Sequence, residues 1–404
     1  MFRSLRTYNF RIWSAGTFVS NIGTWMQRTA QDWLVLAELT HQDALAVGVI
    51  MGLQYGPQLL LLPWTGYAAD HVDRRRLLMI TQAVMGGLAL GLGILTVSGL
   101  VQLWHVYVFA VLLGCTTAFD APARQTFVSD LVDDADLSNA VALNSTSFNA
   151  AQMIGPAVAG VTIAALGSGW AFLINGASFI AVLLSLCLLR IADLRRCSRV
   201  ACAHGKLTDG FRYVWTRPDL KAILFMLFLM GTFGLNFPIF ISTMAVGVFH
   251  AGAGQYGLLT SAMAVGTLAG ALLGARRPQP RFVHLLSGAA VFGIGCALAA
   301  AMPNTWLFGG ALCLIGISAL TFTTVCNSLI QLSTDPGMRG RIMAIRLAIG
   351  LGGMPVGAPL VGWVADQFGP RWALVVGAAS GFSAALIAWL HLAGSRQRRI
   401  RDNS

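Results

Sequence analysis

The chain of 404 residues is 56% hydrophobic and only 11% charged, with 45 glycines and a formal net charge of +11. Soluble domains carry charge on roughly 25% of their residues, so this composition excludes a water-soluble globular protein and places the chain in a bilayer. The basic excess does not indicate nucleic acid, because no patch of mixed aromatic and basic residues stands outside the apolar runs.

Apolar runs lie at about 12–37, 45–69, 77–99, 103–122, 139–165, 169–190, 220–249, 254–275, 282–302, 305–330, 342–365 and 370–394. Each is long enough for a helix to cross a hydrocarbon core of about 30 Å. None alternates as a membrane barrel strand would, and lipid cannot satisfy an open sheet edge. The expected fold is an all-α membrane protein of twelve transmembrane helices in two pseudo-symmetric six-helix bundles. Residues 1–190 form the first bundle, 191–219 a polar cytoplasmic link, and 220–404 the second bundle with a basic tail. The first apolar segment is too long for a cleavable secretory signal and lacks a small-residue cleavage site.

The first span carries Asn21, Thr24, Arg28, Gln31 and Asp32. At about 100° per residue these fall within roughly a quarter of the helix circumference, a polar stripe that faces protein or water. A charge at mid-membrane costs at least about 2.5 to 3.5 kcal/mol, so the stripe needs a partner or a wet cavity. Two readings stay open. Arg28 and Asp32, one turn apart, pair with each other and orient the helix. Alternatively both face a central path, with Arg28 meeting polar or anionic substrate groups and Asp32 accepting a proton. Asn144, Asn149 and Gln152 in the fifth span and Asn236 in the seventh are the further candidates for lining that path.

After the second span comes Gly66-Tyr67-Ala68-Ala69-Asp70-His71-Val72-Asp73-Arg74-Arg75-Arg76. This resembles the signature loop of the major facilitator superfamily, a Gly, three residues, an Asp and then a basic cluster. The resemblance implies a cytoplasmic gate: Gly66 as a close-packing position, Asp70 as the gate acid, Arg74 and Arg75 as the basic cluster. An acid facing a helix N-terminus meets the positive end of its dipole, and a nearby Arg adds charge. His71 departs from the usual basic residue, and the related stretch Gly270 to Arg277 has Gly274 where the acid would stand, so the two gates are unequal.

The connection Arg124 to Leu137 mixes Phe127, Val128 and Leu131 with Asp130, Asp133 and Asp136, and reads as a short amphipathic helix on the cytoplasmic surface, with Asp136 or Ser138 capping the fifth span. In the fifth span Gly155, Pro156 and Gly160 provide a bend and a tight helix contact, similar to the Gly-Pro motif of exporters in the same superfamily. Asn9-Phe10-Arg11, Gly23 to Arg28, Phe119 to Gln125 and Arg339 to Met343 together resemble the enterobactin-exporter-like, or transmembrane secretion effector, branch. The likeness adds Asp120, Arg124, Arg341 and Arg346 to the gate network with Asp70. Gln152 stands where many members of the branch have an Arg.

The basic residues alternate in side. Arg3, Arg6 and Arg11, then Arg74 to Arg76, Arg124, Arg195 to Arg217, Arg276 to Arg281, Arg339 with Arg341, and the tail from Arg396 flank every second connection. The positive-inside rule therefore puts both termini in the cytoplasm of a plasma membrane of the bacterial inner-membrane type, with the arginines against anionic headgroups. Cys197, Cys202 and His204 are too irregularly spaced for a metal site, and the two cysteines read as free thiols. A shift of 202 residues superposes Gly160, Gly167, Trp170, Ala171, Ala177 and Ser178 on Gly362, Gly369, Trp372, Ala373, Ala379 and Ser380, the internal repeat of a two-bundle transporter.

No phosphate-cradling, zinc-protease or nucleophile-elbow motif is present, so an enzyme is not expected, nor any cofactor or metal. The expected function is secondary active export of small amphipathic molecules, siderophore- or drug-like, by alternating access in a monomer, with proton antiport as the coupling. An inward lysophospholipid or metabolite carrier, and a non-transporting membrane sensor or assembly factor on the same scaffold, are the competing readings.

Overall fold

The computed structural model describes residues 3–62, 64–65, 72–194, 207–275, 281–335 and 338–402. Among these every regular element is a helix. In chain order they are α1 (Tyr8–Trp33), α2 (Ala44–Leu60), α3 (Arg74–Val97), α4 (Leu103–Leu131), α5 (Asp134–Leu166), α6 (Ser168–Cys187), α7 (Leu207–Thr216), α8 (Pro218–Leu229), α9 (Phe237–Thr243), α10 (Ala253–Ala275), α11 (Phe282–Ala301), α12 (Thr305–Ser333), α13 (Arg339–Gly352), α14 (Met354–Phe368) and α15 (Pro370–Asp402). Wider π-type turns extend α1 from Leu34 to Leu39 and bridge α8 to α9 through Met230–Gly234.

Ten helical stretches among the described residues are long and apolar enough to cross a membrane, with Pro218–Val248 and Arg339–Phe368 each counting as one. Of the twelve expected spans, the other two differ for physical reasons. α1 is 26 residues long but carries the polar stripe, and α2 is a described helix of only 17 residues. Large apolar side chains such as Leu60, Val161 and Trp306 stand 72%, 70% and 79% exposed, which suits lipid as the solvent.

Local chemistry sets the helix ends. Asp73 caps α3 by accepting from the Arg76 amide at 2.9 Å, and Asn304 caps α12 by accepting from Leu307 at 2.9 Å. Gly167 and Gly369, a repeat pair, have φ of 93° and 103° and join α5 to α6 and α14 to α15. Only glycine holds that conformation without strain, so the repeat preserves the turn.

The chain divides into two units. The first comprises residues 1–42, 53–201 and 251–261, and the second 43–52, 202–250 and 262–404. In the first, Phe10, Trp13, Phe127, Leu131 and Leu186 form a buried cluster, with Trp13 and Phe127 edge to face at 6.1 Å. In the second, Phe240, Phe292, Phe308 and Phe322 are essentially unexposed, and Phe237 meets Phe292 edge to face at 6.4 Å.

This packing corrects the reading of residues 124–137. There is no separate surface helix: α4 runs through to Leu131 and α5 starts at Asp134. Phe127, Val128 and Leu131 are buried against Phe10 and Trp13, so the apolar face is claimed by the protein core rather than by the lipid surface. Nor does Asp136 or Ser138 cap α5, whose N-cap is Asp133; Asp136 pairs with Arg3 instead.

Gly155 brings α5 onto α1, where a methyl group would sit 2.9 Å from the Ile22 carbonyl oxygen and 3.0 Å from the Met26 amide nitrogen. Backbone cannot yield as a flexible side chain can. Gly155→Leu is therefore expected to lower stability by at least about 1–3 kcal/mol, the usual range for overpacking, and thermal unfolding of the purified protein in detergent checks it.

Candidate functional site

Two polar clusters lie within the first unit, and both start from the stripe on α1. The deeper one centres on Asp120 of α4, which is 3% exposed. Its Oδ1 accepts from the Thr81 hydroxyl at 2.8 Å and the Gln82 amide at 2.6 Å, both on α3. Its Oδ2 accepts from Arg124 Nε at 3.1 Å and Nη2 at 2.8 Å, one turn along α4. Arg124 Nη1 then donates to Asn21 Oδ1 on α1 at 2.8 Å. Three helices are joined through one neutralised pair, and the carboxylate has four donors. That arrangement compensates the desolvation of both charges.

The second cluster surrounds Asp32. Arg28 does not close an ion pair on it; the guanidinium lies over the Trp25 ring with its Cζ 5.0 Å from the centroid. The Tyr256 hydroxyl of α10 instead points at Asp32 Oδ2 across a long 3.5 Å. Tyr256 is 1% exposed and stacks on Trp33 at 5.8 Å between centroids. The cluster therefore sets a carboxyl against a phenol, with an arginine one turn away held over an aromatic face. Gln31 is 3% exposed, and its Nε2 has no partner among the described residues.

The remaining path candidates are distributed. Asn144, Asn149 and Gln152 sit partly exposed on α5 in the first unit. Asn236, in the second unit, is fully buried at the break between α8 and α9, where its Nδ2 donates to the Thr232 carbonyl at 2.8 Å and its Oδ1 has no partner among the described residues. The amide thereby satisfies a carbonyl freed by the helix break.

Of the gate candidates, Gly66 and Asp70 lie outside the described residues. Arg74 pairs with Asp130 of α4 at 2.7 Å, and Arg75 Nε donates to the Leu186 carbonyl of α6 at 2.8 Å. In the second unit Arg341 reaches Asp209 of α7 at 3.8 Å. Arg346 is partly buried near Cys326, and its Nε has no partner among the described residues. Along α5, Gly155 faces α1, the Pro156 carbonyl faces Gly257, and Gly160 faces Ala253. Sequence reasoning missed Thr81, Gln82 and Tyr256. Thr81 and Gln82, adjacent polar residues inside an apolar run, were a usable signal; Tyr256 gave none, since its partner lies 224 residues away.

The chain matches the transmembrane secretion effector family over residues 1–397. It is 26% identical over 362 residues to the staphyloferrin A transporter of Staphylococcus aureus, covering 88% of this chain and 89% of that one. It is 25% identical to the multidrug efflux pump Tap of Mycolicibacterium fortuitum over 83% of this chain and 84% of the pump. Among solved structures, a bacterial homolog of the human lysosomal transporter Spinster superposes with a TM-score of 0.76 at 14% identity, over 96% of this chain and 97% of that one, which speaks to fold. The buried polar network strung through apolar helices, the internal repeat and the match along nearly the whole sequence lead to one conclusion: this chain is a membrane transporter, not an enzyme, and belongs to the transmembrane secretion effector family of the major facilitator superfamily.

Proposed function

We propose that the protein exports small amphipathic molecules, siderophore- or drug-like, from the cytoplasm by alternating access, in exchange for protons. The observation that carries this reading is Asp32, an acid in the polar stripe of α1 whose carboxyl faces the Tyr256 hydroxyl. Such a group can take a proton from one side and yield it to the other as its surroundings change. The names of the two relatives, one a siderophore transporter and one a multidrug efflux pump, support the substrate class.

In this reading both termini are cytoplasmic, the membrane is of the bacterial inner-membrane type, and a monomer suffices. Asp70 with Gly66, Arg74 and Arg75 forms the cytoplasmic gate of the first half of the sequence, while Asp120, Arg124, Arg341 and Arg346 belong to the same gating network. Asn144, Asn149, Gln152 and Asn236 belong to the substrate path, and the cytoplasmic arginines rest on anionic headgroups.

Inverted vesicles holding the full-length protein, with the lumen acidified, test the reading. Ethidium and the siderophore enterobactin serve as probes of the two substrate classes. Uptake of at least one, above that of vesicles lacking the protein and abolished when the pH gradient is collapsed, is the expected result. Uptake equal to that of control vesicles for both probes would overturn it.

A further inference from the structure

Residues 43–52, the first turns of α2, pack in the second unit, and residues 251–261, which lead into α10, pack in the first. The two seams are built alike. At Gly48 a methyl group would collide with the Ala358 carbonyl of α14, at Gly52 it would come 3.1 Å from the Pro355 carbonyl oxygen, and at Gly362 it would come 2.9 Å from Leu45 Cα. In the other seam a methyl at Gly257 would collide with the Pro156 carbonyl of α5, and one at Gly160 would come 2.9 Å from the Ala253 carbonyl oxygen. There Ser261 Oγ also donates to the Met153 carbonyl at 2.9 Å. The match is exact in register: Met153, Pro156 and Gly160 correspond to Pro355, Ala358 and Gly362 at an offset of 202, and Gly48 and Gly52 to Gly257 and Ser261 at an offset of 209.

The seams differ in two side chains: the Ser261 hydroxyl crosses one, where its counterpart Gly52 has none, and a carboxylate crosses the other. Near the end of α14 the Asp366 carboxylate accepts from the Ala44 amide at 2.8 Å with Oδ1 and from the Leu45 amide at 2.8 Å with Oδ2. Asp43 caps the same turn by accepting from the Ala46 amide at 3.0 Å. The first amides of a helix have no partner within it, and an anion there also meets the positive end of the dipole. The residue that corresponds to Asp366 in the other seam is Ala164, which has no acceptor side chain (366 − 202 = 164).

We propose that Asp366 is a positioning residue of the transport cycle. By holding the first turn of α2 on α14, it makes this seam the later of the two to part, so that α10 leaves α5 first. The inference rests on the alternating-access reading, but its test needs neither a substrate nor a gradient. A failed export assay therefore leaves the outcome readable.

Amide hydrogen exchange of the full-length protein in nanodiscs reads both seams at once. In the wild type, residues 253–261 should exchange faster than residues 44–52. Asp366→Ala should accelerate exchange across 44–52 by about tenfold, the scale of losing charge-assisted bonds to backbone, and leave 253–261 within about twofold of wild type. Asp366→Glu, which keeps the charge, should restore most of the protection. Unchanged exchange at 44–52 in Asp366→Ala, an equal rise over both seams, or faster exchange at 44–52 than at 253–261 in the wild type would each overturn the proposal.

Discussion

Replacing Asp32 by Asn should abolish gradient-driven export while leaving the protein folded. The amide has nearly the size of the carboxyl and still accepts from the Tyr256 hydroxyl, so packing against Trp33 and α10 survives. What it cannot do is bind and release a proton. Uptake of ethidium into vesicles under an imposed pH gradient is expected to fall by at least about tenfold, a change of about 1.4 kcal/mol in driving the step. Exchange of labelled for unlabelled ethidium without a gradient should persist, because it requires only that the carrier reorient. Tyr256→Phe should have a smaller effect, since a hydroxyl at 3.5 Å makes a weak bond. Gradient-driven uptake at the wild-type rate in Asp32→Asn would show that the coupling acid lies elsewhere.

The largest loss of stability is expected from Asp120→Ala. Removal of that carboxylate takes the acceptor from the Gln82 amide, leaves the Thr81 hydroxyl only the Leu78 carbonyl, and leaves the Arg124 guanidinium without its counter-charge, with Asn21 Oδ1 as its remaining acceptor, in an interior where Asp120 is 3% exposed. Breaking a buried pair by deleting one partner costs about 3–5 kcal/mol, because an uncompensated charge is left behind. The midpoint of thermal unfolding in detergent should fall by at least about 5 °C. The double variant Asp120→Asn with Arg124→Gln removes both charges and keeps polar atoms in place, so it should recover more than half of that loss. Equal midpoints for Asp120→Ala and wild type would mean that the network contributes nothing to holding α1, α3 and α4 together.

How much was legible in the sequence follows from the range of each interaction. The glycine pair Gly167 and Gly369 was visible as a repeat because each turn is set by its own backbone. The polar stripe from Asn21 to Asp32 was visible because helical period projects it onto one face. The division of that stripe was not visible: Asn21 turns to Arg124, 103 residues away, and Asp32 to Tyr256, 224 residues away. An i, i+4 ion pair of Arg28 with Asp32 was equally consistent with the spacing, whereas in the structure the guanidinium lies over the Trp25 ring. Residues 124–137 failed as a surface helix for a related reason. Amphipathicity says that one face is buried, but not whether lipid or protein buries it.

Composition, local periodicity and the recurrence of residues along the chain suffice for the solvent, the all-helical class, the doubled architecture and the family. Which polar groups meet is visible only in the packed helices: Asp120 with Thr81, Gln82 and Arg124, Asp32 with Tyr256, and Asp366 with the amides of Ala44 and Leu45. A buried polar group must find a partner somewhere in a medium without water, but the need carries no address. Helix packing supplies it.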